Sequence, residues 1–414
     1  MGRVRPFAKE DIPQVAGLHW RVLHRRKGTP PPAVENYLDH LFFGCPWFDS
    51  SFPSLVYEDH GGHIVGFQGV VPRRMSLHAS SLKVACCTSL VVHPDSRSTL
   101  AALHLLKSFL AGNQDLSLTD TANQVSYKMW RALGGTSAVS YGMHWSRPLR
   151  PCLYGLYGVS RFSKGTLSGL LTFASRPLGR VIDAIVTRMP SSPLCLPTPS
   201  LSAEPADVDT LFACLSSTWG DRSLRQEYER ESLGWLLAFM AQMKAYGDFR
   251  QVVLRDNANN IAGSYLYYVR RGGIGEVVQI GAERHTLAAV LDHLFADALA
   301  NGALALHGRL ETRLATHLSE KCCFFYQASN RFLVHSRIPE VVQLVCNTDG
   351  LFTRLDGDWC FRFGDEESGN TAPVGKRSNI CEPTRDMTPF STAHHNDTGI
   401  GQGKPRYCGT LSHS

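Results

Sequence analysis

The sequence predicts an α/β protein of two tandem domains, each with a mixed β-sheet flanked by helices. At 414 residues the chain is too long for a single core. A strand–turn–strand pattern also occurs twice, 197 positions apart, with the same residues at the same spacing: Val56, Asp59, Ile64 and Gly66, then Val253, Asp256, Ile261 and Gly263. Each copy is followed by a further strand and a helix, so duplication explains the order better than chance does.

The first domain is predicted over residues 1–147. Strands are indicated by apolar and β-branched runs, and helices by apolar residues spaced three and four positions apart. These patterns give strands at 3–6, 55–57, 63–71, 82–92 and 116–119, and helices after Asp11, at 99–111 and at 123–133. Gly134 and Gly135 are expected to end the last helix.

The second domain is predicted over residues 204–366, after a connector at 148–203 that is rich in proline and glycine. Its expected strands lie at 252–254, 261–269 and 275–280, its helices at 207–215, at 233–243 and after Leu287, and a strand pair is expected around Asp356 and Gly357. In the connector we expect one amphipathic helix, around 178–186. A membrane-surface role for 167–188 is open, but packing against the domains is favoured. The polar tail, 367–414, is predicted to be disordered.

Composition excludes several classes of function. The net charge of +6 is spread along the chain, so no nucleic-acid partner is expected. No apolar stretch approaches about 20 residues and no signal peptide is evident, which predicts a cytoplasmic protein without a transmembrane segment. Twelve cysteines without a Cys-x-x-Cys pair indicate reduced thiols. His60 and His63 lie on a predicted turn without a third ligand, so we expect a solvated loop and no metal.

The segment from Val91 to Ala102 carries the most chemical information. A strand ends at His93-Pro94, a short polar loop with Arg97 follows, and a helix begins. Unpaired backbone N–H groups at a helix start, aligned with the helix dipole, suit a pyrophosphate group. On this window alone, a plain strand-to-helix turn is the simpler interpretation.

In its wider context the loop resembles the phosphate loop of the GNAT acyltransferase superfamily, His-Pro-x-x-Arg-Gly-x-Gly-x-Gly/Ala. The chain has His93-Pro94, Arg97 and Ala102 in register, and departs from the pattern where Ser98 and Leu100 replace glycines. The stretches 5–12 and 59–71 resemble the opening elements of that superfamily. The stretch Asn123-x-x-Ser-x-x-Met-Trp130-x-x-x-Gly134 resembles its late motif, so the likeness covers about 1–145.

The resemblance implies that this domain binds acyl-coenzyme A, with no metal. The implied binding residues lie at the end of the central strand, in the loop, and at the start of the late helix: Leu90, Val91, Val92, Arg97, Ser98, Thr99, Leu100, Ala101, Ala102 and Asn123. The second domain resembles the same superfamily in topology. Between Ile280 and Leu287, however, only Arg284 could meet a phosphate, so this copy is expected to be degenerate.

The resemblance also implies catalytic groups. The tyrosine that protonates the leaving thiolate in many superfamily members is Trp130 here, and indole cannot serve in that role. Tyr127, one helical turn earlier, is the candidate acid, and a packed core tyrosine is the alternative. Asp120 is the candidate base, with an N-cap of the next helix as the alternative. Cys86 and Cys87 are expected to fill the core, the alternative being a thiol nucleophile.

The sequence therefore favours an acyltransferase that moves an acetyl or other acyl group from acyl-coenzyme A to an amine or hydroxyl. The acceptor is expected to be a small molecule, a sugar or a peptide. Two alternatives remain open: a non-catalytic GNAT-fold protein that binds a ligand or a partner, and an aminoacyl-tRNA-dependent transferase. The mild charge disfavours the tRNA donor. Acceptor identity, acyl length and oligomeric state do not follow from the sequence.

Overall fold

The first third of the chain forms strands and helices in nearly the predicted order. The computed structural model describes residues 2–78, 80–162, 166–189, 192–218 and 222–362. In chain order the first elements are β1 (Arg3–Pro6), α1 (Ile12–Val22), α2 (Pro32–Phe42), β2 (Leu55–Glu58), β3 (Ile64–Leu77), β4 (Ser80–Val92), α3 (Ala101–Leu110), β5 (Leu116–Ala122), α4 (Gln124–Ala132), β6 (Thr136–Ser137) and β7 (Met143–Pro148). The helix predicted at 99–111 is preceded by a 3-10 turn, Pro94–Thr99.

The predicted connector contains two helices instead of one. These are α5 (Pro151–Phe162) and α6 (Thr166–Val186), which pack against each other. The buried carboxylate of Asp183 on α6 accepts hydrogen bonds from the backbone N–H groups of Cys152 and Leu153, at 2.7 and 3.0 Å. It thereby satisfies orphan donors at the start of α5, which the local sequence of α5 could not indicate.

The remaining elements complete the second half of the chain. They are β8 (Ser202–Pro205), α7 (Val208–Thr218), β9 (Leu224–Gln226), α8 (Arg230–Ala241), β10 (Asp248–Arg255), β11 (Ile261–Val269), β12 (Ile274–Ala282), α9 (Leu287–Ala300), β13 (Ala305–Arg309), α10 (Ala315–Glu320), β14 (Phe324–Gln327), β15 (Arg331–Ser336) and α11 (Pro339–Cys346). The predicted disordered tail, 367–414, lies outside the described residues. Along the described residues, no helix combines the length and the apolar character that crossing a bilayer requires.

The strands form two mixed sheets. The first has the order β1-β2-β3-β4-β5-β15-β6, with β9 paired to β3, and the second has the order β14-β7-β13-β12-β11-β10-β8. In both, one parallel pair stands among antiparallel ones: β4 with β5, and β12 with β13. The strand pairs β2–β3 and β10–β11 are antiparallel, which confirms the prediction from the repeated pattern.

The two sheets exchange strands across the predicted domain boundaries. The strand β7, from the first half of the sequence, lies in the second sheet, and β9 and β15, from the second half, lie in the first. The described residues accordingly form one compact unit. The boundaries at 147, 203 and 366 stay a prediction about the sequence repeat.

A buried loop connects the two sheets, and we call it the central segment (Leu351–Phe361). Every residue in it is buried. The N–H of Leu351 donates to the carbonyl of Leu224 on β9 at 2.9 Å, and the N–H of Arg354 donates to Val278 on β12 at 3.1 Å. The strand pair predicted around Asp356 is wrong. The carboxylate of Asp356 instead accepts from the N–H and the hydroxyl of Thr353, which folds the segment into a turn.

Candidate functional site

The central strands of the first sheet separate at the place where the sequence predicts the site. Val84–Cys86 on β4 pair with Leu116–Leu118 on β5, and the pairing stops there. On its other edge, β5 pairs with β15 from Leu116 to Ala122. Among the described residues, β4 from Cys87 to Val92 therefore has a strand partner on the β3 side only. We call the opening the β4–β5 gap.

A β-bulge bends β4 beside this gap. Phe67 pairs with Val91 and Gly69 pairs with Thr88, so two residues of β4, Ser89 and Leu90, lie opposite Gln68 alone. Ser89 has a φ of 52°, which marks the bulged position. Leu90 and Val92 lie in one apolar cluster with Ala101 and Leu105 of α3. The binding role of Leu90 to Val92 stays a prediction.

The predicted phosphate loop is a short 3-10 turn. His93 precedes it, and its ring accepts a hydrogen bond from the N–H of Asp95 at 3.3 Å. The backbone of Arg97, Ser98 and Thr99 lies in the turn. Their side chains lie outside the described residues, so the role predicted for Arg97 stays a prediction.

Leu100 separates the turn from α3. Its φ and ψ are 57° and 18°, which is the left-handed region that glycine adopts without strain. Its side chain is 58% exposed, so it lies in solvent and not in the core. The chain thus takes the backbone conformation that the superfamily's glycine would favour, with a leucine in it. Ala101 is buried and Ala102 partly buried against Leu105 and Tyr57.

The late motif forms the start of α4. The side-chain oxygen of Asn123 accepts from the N–H groups of Val125 and Ser126, at 2.9 and 3.0 Å, and caps the helix. The alternative role of Asp120 as that cap is therefore wrong, because Asn123 performs it. Trp130 is buried and packs against Phe109, with ring centroids 6.1 Å apart. Tyr127 is half-buried at the edge of the same cluster.

Asp120 lies at the β4–β5 gap, fully buried on β5. One carboxylate oxygen pairs with the guanidinium of Arg309 on β13, and the other accepts from the N–H of Trp359 at 2.9 Å. Burial, the largest single effect, opposes the charged form, but the Arg309 charge together with the hydrogen bonds to Asp358 and Arg309 outweighs it and lowers the pKa of Asp120 below its usual value. Asp120 is therefore an ionised group held by a partner. Among the described residues, no hydrogen bond joins it to Tyr127.

Asp358 of the central segment is a second carboxylate at the gap, and the sequence interpretation missed it. It accepts from the N–H of Asp120 at 2.6 Å, from the hydroxyl of Thr119 at 3.0 Å, and from that of Thr121. Burial, followed by the charge of Asp120, raises the pKa of Asp358 to about 8. The run Asp356-Gly-Asp358-Trp359 gives no sign of this contact, since 238 residues separate the partners.

The central segment lies at both places where parallel strands separate, and at the first it covers one side of the β4–β5 gap. In the second sheet, β12 and β13 pair only from Ile274 to Glu276, and Val278 is an extra residue of β12 opposite Leu266 and Tyr267. The guanidinium of Arg354 donates there to Glu276 at 2.6 Å and to the carbonyl of Val277 at 3.0 Å. At the first gap, Gly357 lies against Asp120 so closely that a Cβ would come within 2.3 Å of its carboxyl carbon.

The loop of the second copy has a different character. Arg284 is exposed on a turn before α9, and the hydroxyl of Thr286 donates to the carbonyl of Ala262 at 2.6 Å. Cys86 and Cys87 of the first copy are buried in the core, as predicted, and burial raises the pKa of both thiols. His63 contacts only Asp59 on its turn, and no cluster of metal-binding side chains occurs in the part of the chain that the structure describes.

Comparison of the whole chain with solved structures decides the fold. An Enterococcus faecalis protein of unknown function, named as a probable N-acyltransferase, matches with a TM-score of 0.55 and 11% identity over 81% of this chain and 73% of that one. A GCN5-related N-acetyltransferase from Anabaena variabilis matches with a TM-score of 0.54 and 11% identity over the same shares. The chain has the GNAT fold, in two tandem copies.

Two further results accompany that match. Saccharomyces cerevisiae N-myristoyltransferase, solved with bound myristoyl-CoA and inhibitors, superposes with a TM-score of 0.49 and 12% identity over 80% of this chain and 79% of that one. No family model matches the sequence, and no curated protein matches it. The GNAT fold therefore rests on the arrangement of the chain, and the resemblance predicted from the motifs at 1–145 is confirmed at the level of fold.

Proposed function

We propose that the chain is an acyl-coenzyme A-dependent N-acyltransferase that uses its first GNAT-like copy. One observation carries the proposal: the bulged end of β4, the open β4–β5 gap and the start of α3 lie next to one another, and a left-handed residue begins the helix. A pantetheine chain could bind along the free edge of β4 at Leu90 to Val92. The pyrophosphate would then meet N–H groups between Arg97 and Ala102.

The two faces of the first sheet are covered by different elements. The central segment lies on the face of α1 and α2, where the hydroxyl of Tyr37 donates to the carbonyl of Phe361 at 2.7 Å. The opposite face carries α3 and α4. Acyl-coenzyme A is therefore proposed to approach from the α3 side, with Asn123 and the partly exposed Tyr127 beside it. A cytoplasmic location and an amine or hydroxyl acceptor, in a small molecule, sugar or peptide, belong to the same proposal.

Asp120 and Tyr127 keep their proposed roles as base and acid. Asp120 is held ionised by Arg309, which makes it a weak base on its own, and Asp358 beside it has a raised pKa. We propose that these two carboxyls act together, because adjacent titratable groups with separated pKa values can hold and pass on a proton. Tyr127 would deliver a proton to the leaving thiolate from α4.

The test measures acyl-coenzyme A binding and turnover by the full chain. Calorimetry with acetyl-, octanoyl- and palmitoyl-coenzyme A is expected to give saturable heat. Arg97→Glu should abolish that heat, because it puts a negative charge beside the pyrophosphate. Arg284→Glu is the matched control on the second copy and should retain binding. Thiol release with a panel of amines then measures transfer, and Tyr127→Phe should slow it without loss of binding.

A second candidate function follows from the position of the central segment against the β4–β5 gap. The central segment occupies one side of the β4–β5 gap, Trp130 replaces the superfamily's tyrosine, and Leu100 replaces a loop glycine. These observations favour a non-catalytic GNAT-fold protein that binds a ligand or partner. Absence of heat with all three thioesters at millimolar concentration would overturn the enzyme proposal in favour of this one. Heat without thiol release from any amine would leave acyl-coenzyme A as the ligand.

A further inference from the structure

The two helices that follow β7 in the chain pack against each other as a hairpin, which we call the helical hairpin (α5 and α6). Asp183 of α6 caps α5, and Gly179 of α6 faces α5, with carbons of Leu153 and Leu156 3.4 Å from the position of a Cβ at Gly179. This inner side of α6 is buried. The contacts fix which side of α6 faces outward.

The outward side of α6 carries an apolar stripe. Leu178, Val181, Ile182 and Ile185 follow at helical spacing, and Met189 lies just beyond the helix end. Their exposed fractions are 64, 57, 38, 53 and 47%. Single exposed apolar side chains are ordinary, but a continuous stripe of five marks a binding surface. Gly179 and Asp183 pack against α5, which belongs to the same predicted connector, and the stripe is exposed. Packing of 167–188 against the domains therefore stays a prediction.

Charge around the stripe identifies the partner. Residues 151–189 contain five Lys and Arg residues and one acidic residue, so they hold most of the chain's net charge of +6. The acidic residue is Asp183, which is buried against α5. Arg180 and Arg188 are exposed on the hairpin. An apolar stripe with arginines and no exposed acid is the pattern of a helix at the surface of an anionic bilayer.

The edge strand β14 lies near α5 of the helical hairpin and carries exposed aromatic side chains. The side chains of Phe324 and Tyr326 share one face of β14, because their positions differ by two. Tyr326 contacts His307, and His307 contacts Tyr154 of α5 at 3.1 Å. Phe324 is 65% exposed on the same face. Exposed aromatic side chains are typical of protein surfaces at the bilayer interface.

We propose that the helical hairpin binds the surface of an anionic lipid bilayer, with the apolar stripe of α6 inserted among the acyl chains, Arg188 at the phosphates, and the net positive charge of the hairpin attracting it to the bilayer. The alternative occupant, a second copy or another protein, would need to bury about 800 Å² on this side, with acidic groups facing the arginines. The proposal is independent of the proposed acyl transfer. It concerns a different surface and is tested without thioesters.

The test is co-sedimentation of the full chain with vesicles. Wild type should sediment with phosphatidylcholine vesicles containing 30% phosphatidylglycerol, weakly at 0.5 M salt, and should stay in solution with pure phosphatidylcholine. Ile182→Ser/Ile185→Ser should lower the partition coefficient by at least about tenfold. Arg180→Glu/Arg188→Glu should do the same through charge. All four substitutions are on the surface, and thermal melting checks that the variants fold.

Matched controls distinguish vesicle binding by the hairpin from non-specific adsorption of the protein. Leu23→Ser/Val139→Ser removes equally exposed apolar groups elsewhere, and Arg271→Glu/Arg284→Glu reverses two exposed charges elsewhere. Both should sediment like wild type. The proposal is overturned if wild type does not sediment with anionic vesicles, or if the Ile182/Ile185 variant binds them as strongly as wild type does. It is also overturned if light scattering shows a dimer that this variant converts to a monomer while vesicle binding persists.

Discussion

At the scale of single residues, the candidate site combines strained backbone with buried charge. Leu100 is in the left-handed region, and Ser89 is in the same region at the bulge. Both lie where the substrate would approach the first copy. A non-glycine residue in this conformation costs free energy that the surrounding structure must offset. The sequence could indicate the departure from glycine at Leu100 but not that the backbone keeps the glycine conformation.

Replacing Leu100 with glycine should stabilise the folded chain. The side chain is exposed, so little packing is lost, and glycine removes a left-handed strain of about 1 kcal/mol. Urea unfolding should therefore show a higher midpoint for Leu100→Gly. Leu178→Gly, a similarly exposed leucine inside α6, is the control and should lose about 1 kcal/mol instead. Equal losses in both variants would contradict the conformation of Leu100.

The Asp358 carboxyl should make stability depend on pH. Its pKa is about 8 when folded, against about 4 when unfolded, so its contribution is complete below pH 4 and is lost as the pH rises to 8. Asp358→Asn mimics the protonated acid and lacks that loss. From pH 5 to pH 8, wild type should fall in unfolding free energy by roughly a few kcal/mol relative to this variant. Asp120, with its pKa lowered, titrates below this window. Parallel pH profiles would contradict the prediction.

At the scale of secondary structure, local patterns predict the elements but not their long-range caps. The helix α4 has its own cap in Asn123, next to it in sequence, and was predicted to within a residue. The helix α5 depends on Asp183, 31 positions from Cys152. Its sequence, with two glycines and a proline at the start, carries no helical signal and therefore predicts a connector.

Removing the Asp183 carboxylate should loosen the helical hairpin. Asp183→Ala leaves two N–H groups at the start of α5 unpaired, at a cost of about 1–2 kcal/mol. Chemical denaturation should report that loss, and limited proteolysis should cut faster between α6 and β8. Asp209→Ala breaks only the exposed pair with Arg230, at 2.7 Å, and should change stability by less than about 1 kcal/mol. An unchanged Asp183→Ala variant would show that the cap is dispensable.

At the scale of the whole molecule, the repeat in the sequence predicts two similar sheets but does not predict which strands the sheets exchange. The spacing shared by Val56 and Val253 gave two similar sheets, because strand and turn signals are local. The exchange of β7 and β15 between the sheets depends on pairing over long sequence distances, which no local pattern encodes. The same holds at the candidate site: Leu90 to Ala102 are predicted from their order in the sequence, whereas Arg309 and Asp358 reach Asp120 only through the fold.

The Asp120–Arg309 pair should couple the two sheets energetically. It joins β5 of the first sheet to β13 of the second, and both side chains are almost fully buried. Arg309→Met alone leaves a buried carboxylate without its cation, and Asp120→Asn alone leaves a buried guanidinium, so each should cost about 3–5 kcal/mol. The double variant removes both charges and should cost less than the sum, with a coupling energy of about 1–3 kcal/mol.

The same cycle on Arg230 and Asp209, an exposed pair, is the control and should give a coupling below about 1 kcal/mol. Guanidinium unfolding of the wild type and the six variants measures both cycles. Strict additivity at Asp120 and Arg309 would mean that the sheets are held together without this pair, by the apolar contacts of the central segment. A large coupling would instead make the charge pair at the candidate site part of what joins the two GNAT-like copies, because the site lies where β5, β13 and the central segment meet.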